Sequence, residues 1–183
     1  TTAASALTKL GNEKAQTVLI QVLQDLDPQQ FSRVRAAITH ALGHFQAPQQ
    51  YELAKRSAQV LRTVLEKGDV SYQVEANAAE ALGQTRIEGN IDFLKTLLDR
   101  PSWMDFVQRG IFRGLALTGK DDVIDILAGY LNNSLNHLLR RRGAAMGLMY
   151  VGNNRHLYSE EARQRAVTAL CYAVEHDSWG PTR

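Results

Sequence analysis

The chain has 183 residues, 44% hydrophobic and 22% charged, with 21 Lys and Arg against 19 Asp and Glu. Those proportions are ordinary for a globular chain and exclude both disorder and collagen-like repetition. A formal charge of +2 is too balanced to point to nucleic acid or an anionic membrane as a partner.

Taken in order, the chain repeats itself. Residues 3–11 form a degenerate first copy, with Leu10 and Gly11 in register but Lys9 where later copies are small. Four full copies follow without gaps: VRAAITHALG from Val34, VEANAAEALG from Val74, VQRGIFRGLA from Val107 and RRRGAAMGLM from Arg140. Their starts lie 40, 33 and 33 residues apart, the ninth column is always leucine (Leu42, Leu82, Leu115, Leu148) and the eighth always small (Ala41, Ala81, Gly114, Gly147). Columns one, five, eight and nine share one helical face. The small column is what close approach of a neighbouring backbone requires.

A second amphipathic helix follows each motif, at 12–24, 48–67, 90–99, 121–132 and 159–175. The longer first interval comes from about two extra turns in 48–67, which preserve the buried face. Gly43 and Gly83 are expected to stop the first two motif helices, and Gly119 and Gly152 to stop the others nearly a turn later. Ser102 and Asp105 have capping-box spacing after Pro101, and acidic pairs at Asp121–Asp122 and Glu160–Glu161 suit helix starts. No β-branched runs of period two occur, so no strands are placed. The expected fold is all-α: a right-handed α-solenoid of about five HEAT-like helix pairs, forming one domain over residues 1–183, with each pair burying its apolar face against the next.

The 33-residue spacing would also suit tetratricopeptide or ankyrin repeats, but neither signature is present. The form V-R-x-A-x-x-x-A-L-G resembles the HEAT-like repeat, of the type also found in phycobilin lyases. Further on, SYQVEANAAEALGQTR, SWMDFVQRGIFRGLALTGKDDVIDILAGY and EARQRAVTALCYAVEHDSWGPTR resemble the C-terminal HEAT region of bacterial, notably cyanobacterial, aminopeptidase-N-type zinc metallopeptidases. That likeness covers roughly residues 70–183. It implies an accessory domain excised from a longer chain whose zinc sits in an upstream catalytic domain, with no cofactor in this segment.

The residues themselves agree with a non-catalytic reading. H-E-x-x-H, whose two histidines hold zinc while Glu acts as base, is absent. His40 and His44 have i, i+4 spacing, yet Gly43 lies between them and no Glu follows His40; the expectation is a partly exposed helix-end pair. Arg140 is expected to lay its aliphatic stem on the core while Arg141 and Arg142 are solvated; a phosphate or anionic-partner site at the cluster is the alternative. Arg109 and Arg142 share a column before Gly110 and Gly143 and read as repeated structural arginines. Trp103 and Trp179 are expected as wedges between stacked pairs, with partner anchoring as the alternative. Met104, Met146 and Met149 read as core filler, and Cys171 as a buried, inert thiol.

Function is therefore expected at the surface. A solenoid offers a concave face lined by its second helices, and the polar candidates there are Lys55, Gln59, Arg62, Asp92, Lys95, Asp122 and Asp125. The expected partner is a protein or peptide, or the parent's own catalytic domain, and neither nucleic acid nor membrane: no apolar run reaches the ~18 residues of a span. TTAASALTKLG lacks the features of a secretory signal, and the one cysteine fits a reducing, cytoplasmic location. A bilin lyase or lyase-like subunit is the alternative reading. A DNA glycosylase of HEAT-like architecture would need a basic, aromatic-bearing concavity, which the dispersed charges do not supply. Apolar end faces able to support end-to-end self-association are also expected, because an array exposes its terminal units.

Overall fold

The computed structural model describes residues 2–176. Its described residues form ten α-helices and two short 3₁₀ turns: α1 (Thr2–Leu10), α2 (Glu13–Asp25), α3 (Ser32–Leu42), α4 (Tyr51–Lys67), α5 (Tyr72–Gln84), α6 (Asn90–Thr96), α7 (Phe106–Leu117), α8 (Val123–Asn132), α9 (Leu138–Asn153) and α10 (Glu160–His176), with 3₁₀ turns at Trp103–Asp105 and Arg155–Leu157. The described residues contain no strand, and none of their helices is long and apolar enough to cross a membrane. The odd-numbered helices stack successively, α1 on α3, α3 on α5, α5 on α7 and α7 on α9, and each even-numbered helix packs beside its odd-numbered partner. The result is the expected α-solenoid of five helix pairs.

Its core is the leucine column. Leu42, Leu82, Leu115 and Leu148 are all buried, together with Ile38, Ala78, Ile111 and Ala144 one turn earlier. In the degenerate first copy Leu10 is exposed instead, while Gly11 ends α1 with φ +60. α6 starts at Asn90 as expected, and the other four second-helix starts move by one to three residues; α4, for example, begins at Tyr51 after a turn through the cis Ala47–Pro48 bond. α6 is cut short at Thr96, where i→i+3 bonds from Leu97 and Leu98 tighten its end ahead of Pro101.

Gly119, with φ +72, follows the end of α7 as expected, but two of the other glycines do something other than end a helix. Gly83 lies inside α5 and Gly152 inside α9, so neither is a stop. Gly83 is instead the point where α5 touches α7: a Cβ there would lie 1.8 Å from the Gly114 carbonyl oxygen, and one on Gly114 would lie 2.2 Å from that of Ala79. Two backbones cross there with no room for a methyl group. Gly43 does cap α3, in a right-handed conformation.

Column two of the motif is polar in all four full copies, Arg35, Glu75, Gln108 and Arg141, and buried in all four. Each side chain binds the chain segment that precedes its own helix. Arg35 donates to the Leu23 and Leu26 carbonyls (2.6 and 3.2 Å), closing the end of α2, and to Asp69 of the next loop (2.8 and 3.0 Å). Glu75 accepts from the Asp69 amide (2.9 Å) and pairs with Arg100 (3.2 Å). Gln108 accepts from the Ser102 hydroxyl (2.6 Å), and Arg141 donates to the Leu131 carbonyl at the end of α8 (3.0 Å). Carbonyls at a helix C-terminus lack intrahelical donors, and the two arginines supply them. The buried arginine of the Arg140–Arg142 cluster is thus Arg141. Arg140 is partly exposed, 3.7 Å from Asp99 and 3.4 Å from Asp105, and Arg142 is exposed.

Four further expectations are corrected. The capping box does not form, because Asp105 is left-handed (φ +52); the Ser102 hydroxyl accepts from the Val107 amide instead (3.0 Å). Trp103 is 68% exposed and no wedge, since the 3₁₀ turn carries it outward. Met104 and Met149 are exposed rather than core filler, and Cys171 of α10 is an exposed thiol rather than a buried one. Arg109 lies over the Phe106 ring, 4.7 Å from its centroid, in the structural role assigned to it. Trp179 lies outside the described residues.

Candidate interaction surface

The even-numbered helices form one layer, and its polar side chains join each helix to the next. Between α2 and α4, Gln16 donates to the Leu53 carbonyl (2.6 Å) and the Ser57 hydroxyl (2.8 Å), and Arg56 donates to the Thr17 hydroxyl (3.0 Å). Between α4 and α6, Arg62 holds the Asn90 side-chain oxygen (2.9 and 3.2 Å) and lies over the Phe93 ring, 5.1 Å from its centroid. Asn90 in turn donates to the Leu82 carbonyl (2.8 Å) and the Thr85 hydroxyl (2.9 Å), so the same side chain ties α6 to the end of α5. Lys95 of α6 lies 3.5 Å from Asp122, at the start of α8, and 3.7 Å from Asp92. Arg165 of α10 meets Asp125 of α8 (2.5 Å) and donates to the Asp121 carbonyl (3.1 Å).

The seven candidates thus fall into two groups. Arg62, Lys95, Asp122 and Asp125 each bind a neighbouring helix or its approach, Asp92 adds to the Lys95 pair, and Lys55 and Gln59 are exposed on α4. Most of these ion pairs are solvent-exposed and worth at most ~1 kcal/mol each. Their effect is to set the register of the layer. Sequence spacing placed the residues on one face, but not their partners in neighbouring repeats, which lie 27 to 40 residues away.

Among the grooves on this layer are two near its ends. One, of about 380 Å³, lies between α2 and α4 and is lined by Leu23, Leu26, Val60 and Val64 with Lys67 at its rim. The other, of about 600 Å³, lies between α8 and α10, where Asp125, Glu161, Gln164 and Tyr172 face it. The apolar walls and polar rim of the first suit peptide side chains, while the second is lined mainly by polar residues.

The histidine pair sits apart. The His40 and His44 rings meet edge to face, with centroids 5.3 Å apart, and His44 Nδ1 is 3.1 Å from Gln84 Nε2. Burial of one side of the His44 ring, then the charge of His40, lowers its pKa below the ordinary 6.5. Among the described residues no three His, Cys, Asp or Glu side chains gather as a metal site.

Comparison with known families now adds to this geometry. A family model for HEAT repeats matches residues 58–149, half of the chain. This chain belongs to the HEAT-repeat family. The match runs from the middle of α4 into the last third of α9, so it includes the α5–α7 crossing. No curated protein matches the chain. HEAT repeats serve protein interaction and scaffolding.

Proposed function

We propose that this chain is a non-catalytic scaffold that docks a protein or peptide on its second-helix layer, as an accessory domain of a zinc aminopeptidase. The observation that supports docking is the polar ladder from Gln16 to Arg165, which holds five consecutive second helices in register while leaving grooves at both ends. The aminopeptidase setting rests on the sequence likeness over residues 70–183. In that setting the catalytic domain holds the zinc, and the array binds that domain or guides substrate to it. The exposed Cys171 thiol suits a reducing cytoplasm. The groove between α8 and α10 carries Asp125 and Glu161, and its Arg165 is already paired with Asp125, a poor match for the propionates of a tetrapyrrole, which weighs against a bilin-lyase reading.

The test has two arms. Aminopeptidase turnover and zinc content are measured on the purified chain after chelation and zinc return, and both are expected at background. Zinc-dependent turnover that vanishes in His40→Ala or His44→Ala would overturn the scaffold reading. In the second arm, photo-crosslinking residues at 55 and 59 are expected to capture the catalytic domain or its peptide substrate. A label at position 33, in the first-helix layer, is expected to capture neither; the reverse pattern would move the docking surface off the second helices.

A further inference from the structure

The loops that follow α5 and α7 are built alike. In each a threonine caps the helix, Thr85 after α5 and Thr118 after α7, and its hydroxyl donates to a carbonyl of the last turn at 2.7 Å. The next residue is left-handed in both, at φ +57 and +72. After α7 it is Gly119, which adopts this conformation freely; after α5 it is Arg86. An L side chain costs backbone energy there, and outliers of this kind cluster at ligand clamps and active sites. The other left-handed residues with side chains among those described are Met104 and Asp105, and Arg140 and His137 hold Asp105 at 3.4 and 3.5 Å. Among the described residues no ion pair holds Arg86.

Its side chain lacks an anion as well. Arg35, Arg100, Arg113 and Arg165 each meet a carboxylate, whereas the Arg86 Nε is buried without a hydrogen-bond partner. Burial pulls the guanidinium below the ordinary arginine value, and the nearby Tyr158 hydroxyl offsets only part of that. A partly desolvated cation is costly until something supplies an acceptor. Arg86 lines a cavity of about 450 Å³ between the two loops, and Lys120 enters it from the facing loop, exposed and without a carboxylate partner among the described residues. Ile87 and Ile91 add apolar wall. Three carboxylates line the cavity too, but Asp92 and Asp122 flank Lys95 at 3.7 and 3.5 Å. That leaves the exposed Glu88 against Arg86 and Lys120, and so one positive charge without compensation.

We propose that Arg86 and Lys120 bind a single carboxylate of a docked peptide, an acidic side chain or the peptide's C-terminus, with Ile87 and Ile91 against the apolar group beside it. The charge balance carries the choice of ligand. One carboxylate neutralises the cavity, and a guanidinium fork matches it with two parallel hydrogen bonds. A phosphate brings close to two negative charges and would meet Glu88, Asp92 and Asp122 with the excess. The site rests on the docking reading above and extends it: the cavity opens beside Asp92 of α6 and Asp122 at the start of α8, so it anchors one end of a peptide that lies on the second helices. The left-handed backbone at Arg86 is then the cost of placing a guanidinium where the following repeat keeps a glycine.

The probes are N-acetyl-dileucine with a free C-terminal carboxylate, its C-terminal amide, and N-acetyl-glutamyl-leucine amide, titrated by calorimetry at low salt. Saturable binding is expected of at least one carboxylate peptide, with the carboxylate-free amide about 10- to 100-fold weaker, the worth of one charge-assisted contact. Which carboxylate peptide binds names the source, terminus or side chain. Arg86→Gly is expected to weaken binding by a similar factor while melting no lower than the parent, because glycine suits φ +57. Lys120→Ala removes an exposed side chain and is expected to weaken binding at unchanged melting; it decides alone should Arg86→Gly not fold. The proposal is overturned if no peptide binds, if the amide binds as well as the carboxylates, or if the discrimination survives these substitutions. Inorganic phosphate binding more tightly than either carboxylate would overturn it too. Crosslinks at 55 and 59 without carboxylate discrimination would refute the cavity alone, and discrimination without those crosslinks would refute the second-helix docking face alone.

Discussion

The Arg35–Asp69 pair shows how much one residue can hold in a repeat array. The Asp69 side chain is 1% exposed and that of Arg35 11%, and the same guanidinium closes the end of α2. Removing one partner strands a buried charge, so Arg35→Ala should cost ~3–5 kcal/mol, whereas Arg35→Met with Asp69→Leu should recover most of it. Urea melts of the parent and the two variants measure this; a double variant no better than the single would mean that the carbonyl contacts, not the charge pair, carry the energy. The column was legible in part. Four polar residues at one motif position are visible in the sequence, but their burial is not, because polar residues are ordinarily read as solvated. His44 gives a second residue-scale prediction, in pH. A base whose folded pKa lies below its unfolded value contributes stability that is full above the unfolded value near 6.5 and is lost as pH falls through the folded value. His44→Gln should therefore flatten the decline in melting temperature from pH 7 toward pH 5. The ring is partly open to solvent, so the change is small; an identical slope in both proteins would rule the histidine out.

At the scale of the helix, the same residue type has opposite effects in two places. Gly114 faces the Ala79 carbonyl at the α5–α7 crossing, while Gly129 of α8 has nothing within 4 Å of an added Cβ. Gly114→Ala should destabilise by ~1–3 kcal/mol or more through overpacking. Gly129→Ala should stabilise by ~0.5–1 kcal/mol, because alanine costs less backbone entropy in a helix. Denaturant midpoints compare the two directly, and a stabilised Gly114→Ala would show that the helices can move apart. This crossing explains why Gly83 reads as a helix stop in the sequence. Gly83 sits at the end of an apolar motif, where termination and close packing predict the same residue, and only the neighbouring helix distinguishes them. The small eighth column, by contrast, was legible, since a constant small residue beside a constant leucine has no role in termination. Trp103 was misplaced for a related reason: a serine before tryptophan at a unit boundary carries no sign of the left-handed pair that follows it.

The whole array was the most legible level, because five helix pairs follow from a motif that recurs at fixed columns. What the repeat also implies is that its two end faces differ. One exposes Val18, Val22 and Val34 around a groove lined by Ala3, Leu7 and Ala37; the other exposes Met149 and Val174 around a groove lined by Met146 and Leu170. Apolar ends of this kind favour association of isolated arrays. If the contact continues the stacking direction, one end meets the opposite end of another copy, a head-to-tail contact that does not close and so grows with concentration. Sedimentation velocity should then show a mass that climbs without a plateau at dimer. Val22→Lys and Met149→Lys each spoil one face, so each variant alone should stay monomeric at concentrations where the parent grows. Mixed in equal amounts, they retain one good face of each kind and should form a single heterodimer. A homodimer of either variant by itself would mean that like ends pair, and head-to-tail stacking would be excluded.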